Sequence, residues 1–165
     1  MSIELVLADP HPVLLEGLSQ VLQACPEFVI KACASTGDDA LAAVQKHHPD
    51  VLVMDVSLAH RSGWAVLDDV QHHHASTRPV VFTDAPLGDV MRIIDAGVPG
   101  LVGKDKSRQE LARCIEAVHA GQKWLDRDLT LKTMSVLLDQ QKKKPQPAAL
   151  LTPRELTVAR MVTEG

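Results

Sequence analysis

The stretch VLVMDVSLAHRSGW, residues 51–64, decides the fold. Val51, Leu52, Val53 and Met54 form an unbroken apolar run, the pattern of a strand buried on both faces. An acid directly after such a run stands at the strand's carboxyl end. Open parallel sheets bind ligands in the crevice outside those ends, so Asp55 is the first candidate for chemistry. Beyond it, Gly63, Val66, Leu67 and Val70 recur at i, i+3, i+4 and i+7, which is one face of a helix.

This strand–acid–helix unit repeats along the chain. Short apolar runs occupy residues 3–8, 28–34, 51–54, 79–82 and 100–103. Between them lie helix-period stripes: Leu14, Leu18, Val21, Leu22 and Cys25 in a helix starting near Pro12; an alanine-rich stretch at 38–48; Leu87, Val90, Met91 and Ile94; and Leu111, Cys114, Ile115 and Val118. Right-handed crossovers place each helix over the sheet, so the expected fold class is α/β, a doubly wound five-stranded parallel sheet. In the flavodoxin-like order 2-1-3-4-5, the first and third strands are neighbours at the switch point.

That order gives Asp55 company. Asp9 ends the first strand in LADPHP, Thr83 ends the fourth in VVFTD, and Lys104 ends the fifth in LVGKD. One polar residue at a strand end means little, since every such strand ends on something polar. Four of them converging on one edge point to a site. Two carboxylates in a confined crevice repel, and a hard divalent cation such as Mg²⁺ relieves them while bridging to a phosphoryl group. Asp55 is then a phosphoryl acceptor, Lys104 a point charge for a phosphate oxygen, and Thr83 a hydroxyl that can bond another.

Composition narrows the class. A net charge of −4 argues against a generally basic, nucleic-acid-coating surface. The opening MSIELVLADP has no basic leader and reads as a first strand, and nothing approaches the ~18 continuous apolar residues of a membrane span. Cys25, Cys33 and Cys114 are odd in number and unpaired in spacing, which fits reduced thiols in a cytoplasmic protein with no metal role.

The alternation stops after Ala120. A helix is expected over 126–141 with Leu131, Met134 and Leu138 on one side, then KKKPQPAA at 142–149 as a solvated linker. At Thr152, Pro153 and Glu155 a second helix start is written as N-cap, first-turn proline and capping box, with Gly165 as its stop. One short helix cannot bury an apolar stripe alone, so the chain is expected to stop partway into a further domain. The organisation read here is 1–121, a sheet domain; 122–150, a linker with one helix; and 151–165, the start of the next domain.

Several conspicuous residues read as quiet. His47, His48, His72, His73 and His74 crowd helix ends, where a dipole favours them and adjacent side chains diverge too far to share a metal. His11 fits a local turn. Trp64 and Trp124 read as packing residues. Gly97, Gly100 and Gly103 precede no helix in the register of a dinucleotide fingerprint. Two enzymes on this fold are disfavoured: a flavin protein needs a Ser/Thr/Gly phosphate loop where ADPHPVLL stands, and an aspartate phosphatase needs a second acid where Ser57 stands.

With these motifs in this order, residues 3 to about 120 resemble a response-regulator receiver domain of two-component signalling. LTPRELTVARMVTEG at 151–165 resembles the opening of a LuxR-type helix-turn-helix domain. Together they are similar to the NarL/FixJ subfamily of transcriptional regulators. The resemblance implies a regulator and not an enzyme, with Asp55 as phosphoacceptor, Asp9 in the acidic pocket, Thr83 as switch hydroxyl and Lys104 as phosphate-pairing lysine. It implies Mg²⁺ held by Asp9, Asp55 and the Ser57 backbone carbonyl. Its implied partners are a sensor histidine kinase, DNA through the C-terminal domain, and a second copy, which would pair through the first and fifth helices or through the face around the fourth.

Four positions depart from the pattern. Pro10 stands where the family usually has a second acid, Leu58 and Ala59 replace its Met-Pro, and Leu101 replaces an aromatic switch residue. Asp84 has two readings: it faces solvent, or it adds charge at the pocket. Pro10 and Leu101 lead to a receiver with weakened Mg²⁺ binding; the competing reading is a pseudo-receiver that dimerises or binds partners without phosphorylation.

Overall fold

The computed structural model describes residues 1–143. The linker prolines and the helix start at Thr152 to Glu155 lie outside the described residues. Strands β1 (Ile3–Ala8), β2 (Phe28–Ala34), β3 (Val51–Met54), β4 (Arg78–Thr83) and β5 (Gly100–Gly103) alternate with α1 (Pro12–Gln23), α2 (Gly37–His47), α3 (Gly63–His73), α4 (Leu87–Asp95) and α5 (Arg108–His119). All pair in parallel, in the order β2-β1-β3-β4-β5, as the motif order requires.

A sixth strand extends the sheet. β6 (Trp124–Leu125) lies parallel to β5, with Gly100 opposite Trp124 and Leu101 opposite Leu125. Five strands were expected, and two residues are too few to show either periodicity. Helix α6 (Arg127–Lys143) follows, running through Lys142 and Lys143 where a linker was expected to begin. Cations in a last turn complement the helix dipole, which is a physical reason for the extension.

The two faces of the sheet carry separate cores. Leu15, Leu18 and Leu22 of α1 and Leu111, Cys114, Ile115 and Val118 of α5 cover one face with Leu5, Leu7 and Val53. On the other, Ala40, Val44, Val66, Leu67, Val70, Val90 and Ile93 from α2, α3 and α4 meet Val6, Leu52, Met54 and Val81. The α3 and α5 stripes match their sequence readings. In α1 the buried line is Leu15, Leu18 and Leu22, while Val21, expected inside, is 37% exposed. In α4 it is Val90 and Ile93. Leu18, Leu22 and Val90 are buried as expected, while Leu15 and Ile93 take the inward places read for Leu14 and Ile94, because a helix with apolar residues on adjoining rows presents two candidate faces and only tertiary packing selects one.

The first compact unit runs from Met1 to Thr133. Among the described residues no helix is long and apolar enough to cross a membrane.

Candidate functional site

Sheet register builds the site. Ala8 pairs with Met54, so the residues that follow them, Asp9 and Asp55, leave adjacent strands at the same level. Backbone bonds fix both: Asp9 N–H donates to Ala34 O at 3.1 Å and Asp55 N–H to Ala8 O at 3.0 Å. On the other side of β3, Thr83 closes β4, and Lys104 N–H donates to Thr83 O at 3.0 Å. Asp9 and Asp55 are each 2% exposed and Thr83 1%.

One cation serves both acids. Lys104 Nζ stands 2.5 Å from Asp55 Oδ2 and 2.7 Å from Asp9 Oδ2, with its side chain 10% exposed. Neither oxygen accepts a directional hydrogen bond from another described group, so the ammonium is their counter-charge. Burial lowers the affinity of Lys104 for its proton, but the hydrogen bonds and charges of Asp55 and Asp9 outweigh it, and the ammonium's pKa lies above the ordinary lysine value.

The remaining carboxylate oxygens are held by the local chain. Asp55 Oδ1 accepts from Ser57 N–H at 2.8 Å. Asp9 Oδ1 accepts from His11 N–H at 2.8 Å and lies 3.1 Å from His11 Nδ1. His11, read from sequence as a turn residue, thus also touches the acidic pair. Thr83 Oγ1 accepts from Ala85 N–H at 3.1 Å.

A cleft of about 310 Å³ opens on this edge, lined by Asp55, Ser57, Trp64, Thr83, Asp84 and Asp89 among others. Asp84 is exposed and stands at the rim of this cleft. Trp64, read as packing alone, packs on the core, walls the cleft, and carries the Arg92 guanidinium 4.0 Å from its ring centre. A larger groove of about 650 Å³ lies between α1 and α5, bounded by Leu14, Leu18, Phe82 and Leu111, and includes neither acid. Size alone does not locate the chemistry.

The two departures nearest Asp55 have structural consequences. Leu58 is buried in the core, and Ala59 O accepts from Gly37 N–H at 3.1 Å, stapling the loop after Asp55 to the start of α2. Leu101 is fully buried.

A divalent cation finds two carboxylates here. Among the described residues no group of three or more His, Cys, Asp or Glu is arranged for a metal ion. The two Oδ2 atoms, faced by the Lys104 ammonium, are suitable hard donors, and Mg²⁺ often takes only one or two carboxylates, keeping waters and a phosphoryl oxygen. The donor set therefore fits such an ion, in competition with the Lys104 ammonium.

The comparisons agree with this geometry. The family model of the response regulator receiver domain matches residues 5–116. The DNA-binding transcriptional activator DevR/DosR of Mycobacterium tuberculosis is 32% identical over 164 residues, covering 99% of this chain and 75% of that protein. The nitrate/nitrite response regulator NarL of Escherichia coli K12 is 25% identical over 162 residues, covering 98% and 75%. In structure, a two-component response regulator of the LuxR family from Aurantimonas sp. SI85-9A1 superposes with a TM-score of 0.75 at 24% identity, over 84% of this chain and 99% of that one. With its parallel sheet and its acids at the switch point, the chain belongs to the response regulator receiver family, in company with NarL- and LuxR-type transcriptional regulators.

Proposed function

We propose that this receiver accepts a phosphoryl group on Asp55 and thereby controls transcription. The observation that carries the reading is the triad of Asp55, Asp9 and Lys104, with the ammonium within 2.7 Å of both buried carboxylates. In the reaction, one Asp55 carboxylate oxygen forms a P–O bond as the donor's bond to phosphorus breaks. With acetyl phosphate the leaving group is acetate; with a sensor kinase it is a histidine imidazole, which takes up a proton. The new phosphoryl oxygens gain the Lys104 ammonium, and the Thr83 hydroxyl can turn from Ala85 to another of them. That rotamer change beside α4 is the switch.

Asp9 and Asp55, with the Ser57 carbonyl, would hold Mg²⁺, which neutralises charge on the incoming phosphoryl group when bound. Pro10 supplies no third acid and Lys104 occupies the same oxygens, so binding is weaker than at a site with three acidic residues. We assign residues 1–121 to the receiver, 122–150 to a helical linker, and 151–165 to the start of a DNA-binding domain, with a homodimer reading paired half-sites from the cytoplasm. Incubation with acetyl phosphate and Mg²⁺ followed by intact-mass measurement tests the proposal. Wild type gains one phosphoryl mass and Asp55→Ala gains none; no gain on wild type overturns it.

A second reading has one observation in its favour. Lys104 already neutralises both acids, leaving a site that is electrostatically settled without phosphate or metal. In that pseudo-receiver the module acts by dimerisation or partner binding alone. Asp55→Asn retaining full DNA binding and regulation would select it.

A further inference from the structure

We infer that Asp126 is a positioning residue for Lys104, its carboxylate dividing between the strand end that carries the lysine and the first turn of α6. Asp126 is 6% exposed. Its Oδ2 accepts from Gly103 N–H at 3.1 Å, while its Oδ1 accepts from Asp128 N–H at 3.0 Å and Leu129 N–H at 3.2 Å.

The second function follows from where β6 stops. Asp126 N–H donates to Leu101 O at 2.8 Å, the last backbone rung between β5 and the β6 segment. The next rung along β5 would satisfy Gly103 N–H, but the chain beyond Leu125 turns into α6. A side-chain oxygen takes the carbonyl's place. A residue needed only to cap α6 would do so with one oxygen and leave the other in water. Here the other is turned inward onto the residue preceding Lys104.

The lysine's backbone is thus held from both sides. Lys104 N–H is tied to Thr83 O on β4 and the Gly103 amide to Asp126, while Lys106 N–H closes a turn onto Gly103 O at 3.1 Å. Gly103 sits close to both acids: a Cβ there would come within 2.5 Å of Asp105 Oδ1, a side chain that would have to swing aside, and 3.3 Å of Asp126 Oδ2. Lys106 adds an ion pair to Asp128 and lies 3.8 Å from Asp126 Oδ1, so the loop after Lys104 grips the same helix start. Aim of the ammonium at Asp55 and integrity of the α6 cap share one carboxylate. A shift of Lys104 towards a phosphoryl group therefore acts on the start of α6, a consequence that rests on the proposed phosphoryl-accepting function.

The test separates capping from positioning. Asp126→Ser keeps an oxygen that caps α6 but cannot also reach Gly103; Asp126→Asn, nearly isosteric, serves if the serine variant does not fold. Three quantities are read on the full chain: amide exchange at Gly103 and Leu129 by NMR, the Lys104 ammonium resonance, and the rate of mass gain from acetyl phosphate with Mg²⁺. Positioning predicts Gly103 exchange about tenfold faster, a displaced Lys104 resonance and mass gain about tenfold slower, with Leu129 still protected. A folded variant with unchanged Gly103 exchange and Lys104 resonance overturns the inference, as does a variant that loosens Gly103 yet gains mass at the wild-type rate. If wild type itself gains no mass, the phosphoryl-accepting reading fails, and the two NMR quantities still decide whether Asp126 aims Lys104.

Discussion

Lys104 Nζ lies 2.5 Å from Asp55 Oδ2, and the same ammonium lies 2.7 Å from Asp9 Oδ2. Removing it leaves two buried carboxylates facing one another without a counter-charge. We expect Lys104→Met to lower stability by about 3 kcal/mol, measured by urea unfolding at neutral pH. Adding Asp9→Asn to that variant should recover a large part of the loss, because one of the stranded charges is gone. An unchanged unfolding midpoint in the single variant would show that water, not the lysine, screens the acids.

Gly63 leaves no room for a side chain. An added Cβ would stand 2.5 Å from Val56 Cα and O, backbone that cannot swing aside. Gly63→Ala must displace the segment between Asp55 and α3, which includes the Ser57 amide that holds Asp55 Oδ1. The expected cost is about 2 kcal/mol or more in thermal or urea unfolding. Slower mass gain from acetyl phosphate should accompany it, because the carboxylate loses its orientation.

The legible parts of this chain were those that repeat or that stand at strand ends. Four unbroken residues before Asp55 were enough to place a buried strand, and Asp9, Thr83 and Lys104 followed from the same reading of their own strands. Register then brought Asp9, Asp55 and Lys104 within ion-pair distance. What was not legible depends on contacts between distant residues. β6 is too short for periodicity, Asp126 read as a helix start with no sign of its bond to Gly103, and Trp64 gave no hint that it walls the cleft. In α1 only the first position of the stripe differs, because Leu14 and Leu15 are both apolar and packing on the sheet buries Leu15 while Leu14 lines the groove beside α5.

Cys114 is buried against β5, and burial pushes its thiol up to about 12 from an ordinary 9.0. The folded chain holds the thiol neutral, whereas the unfolded chain ionises it above 9.0. Stability from this group is therefore fully present below pH 9.0 and is lost progressively as pH rises towards 12. At pH 8 a thiol reagent should modify the exposed Cys33 and leave Cys114 untouched until denaturant is added. Rapid native labelling of Cys114 would show that α5 opens locally.

Arg78 ties the start of β4 to the end of α5. The helix closes with Gln122 N–H on Ala117 O at 2.9 Å and Gly121 N–H on Val118 O at 3.0 Å, with Gly121 at φ 85°, a glycine-terminated Schellman turn. That turn leaves His119 O without a backbone donor. Arg78 Nη1 supplies one to His119 O and reaches Val118 O at 3.2 Å. Arg78→Ala should cost about 1 to 2 kcal/mol and raise amide exchange in the last turn of α5, as measured by NMR. Arg78→Lys should restore only part of this, because an ammonium on a shorter, flexible stem is not held where the rigid guanidinium places Nη1 between the two carbonyls. Equal exchange in wild type and Arg78→Ala would mean that water satisfies the His119 carbonyl as well as the guanidinium does.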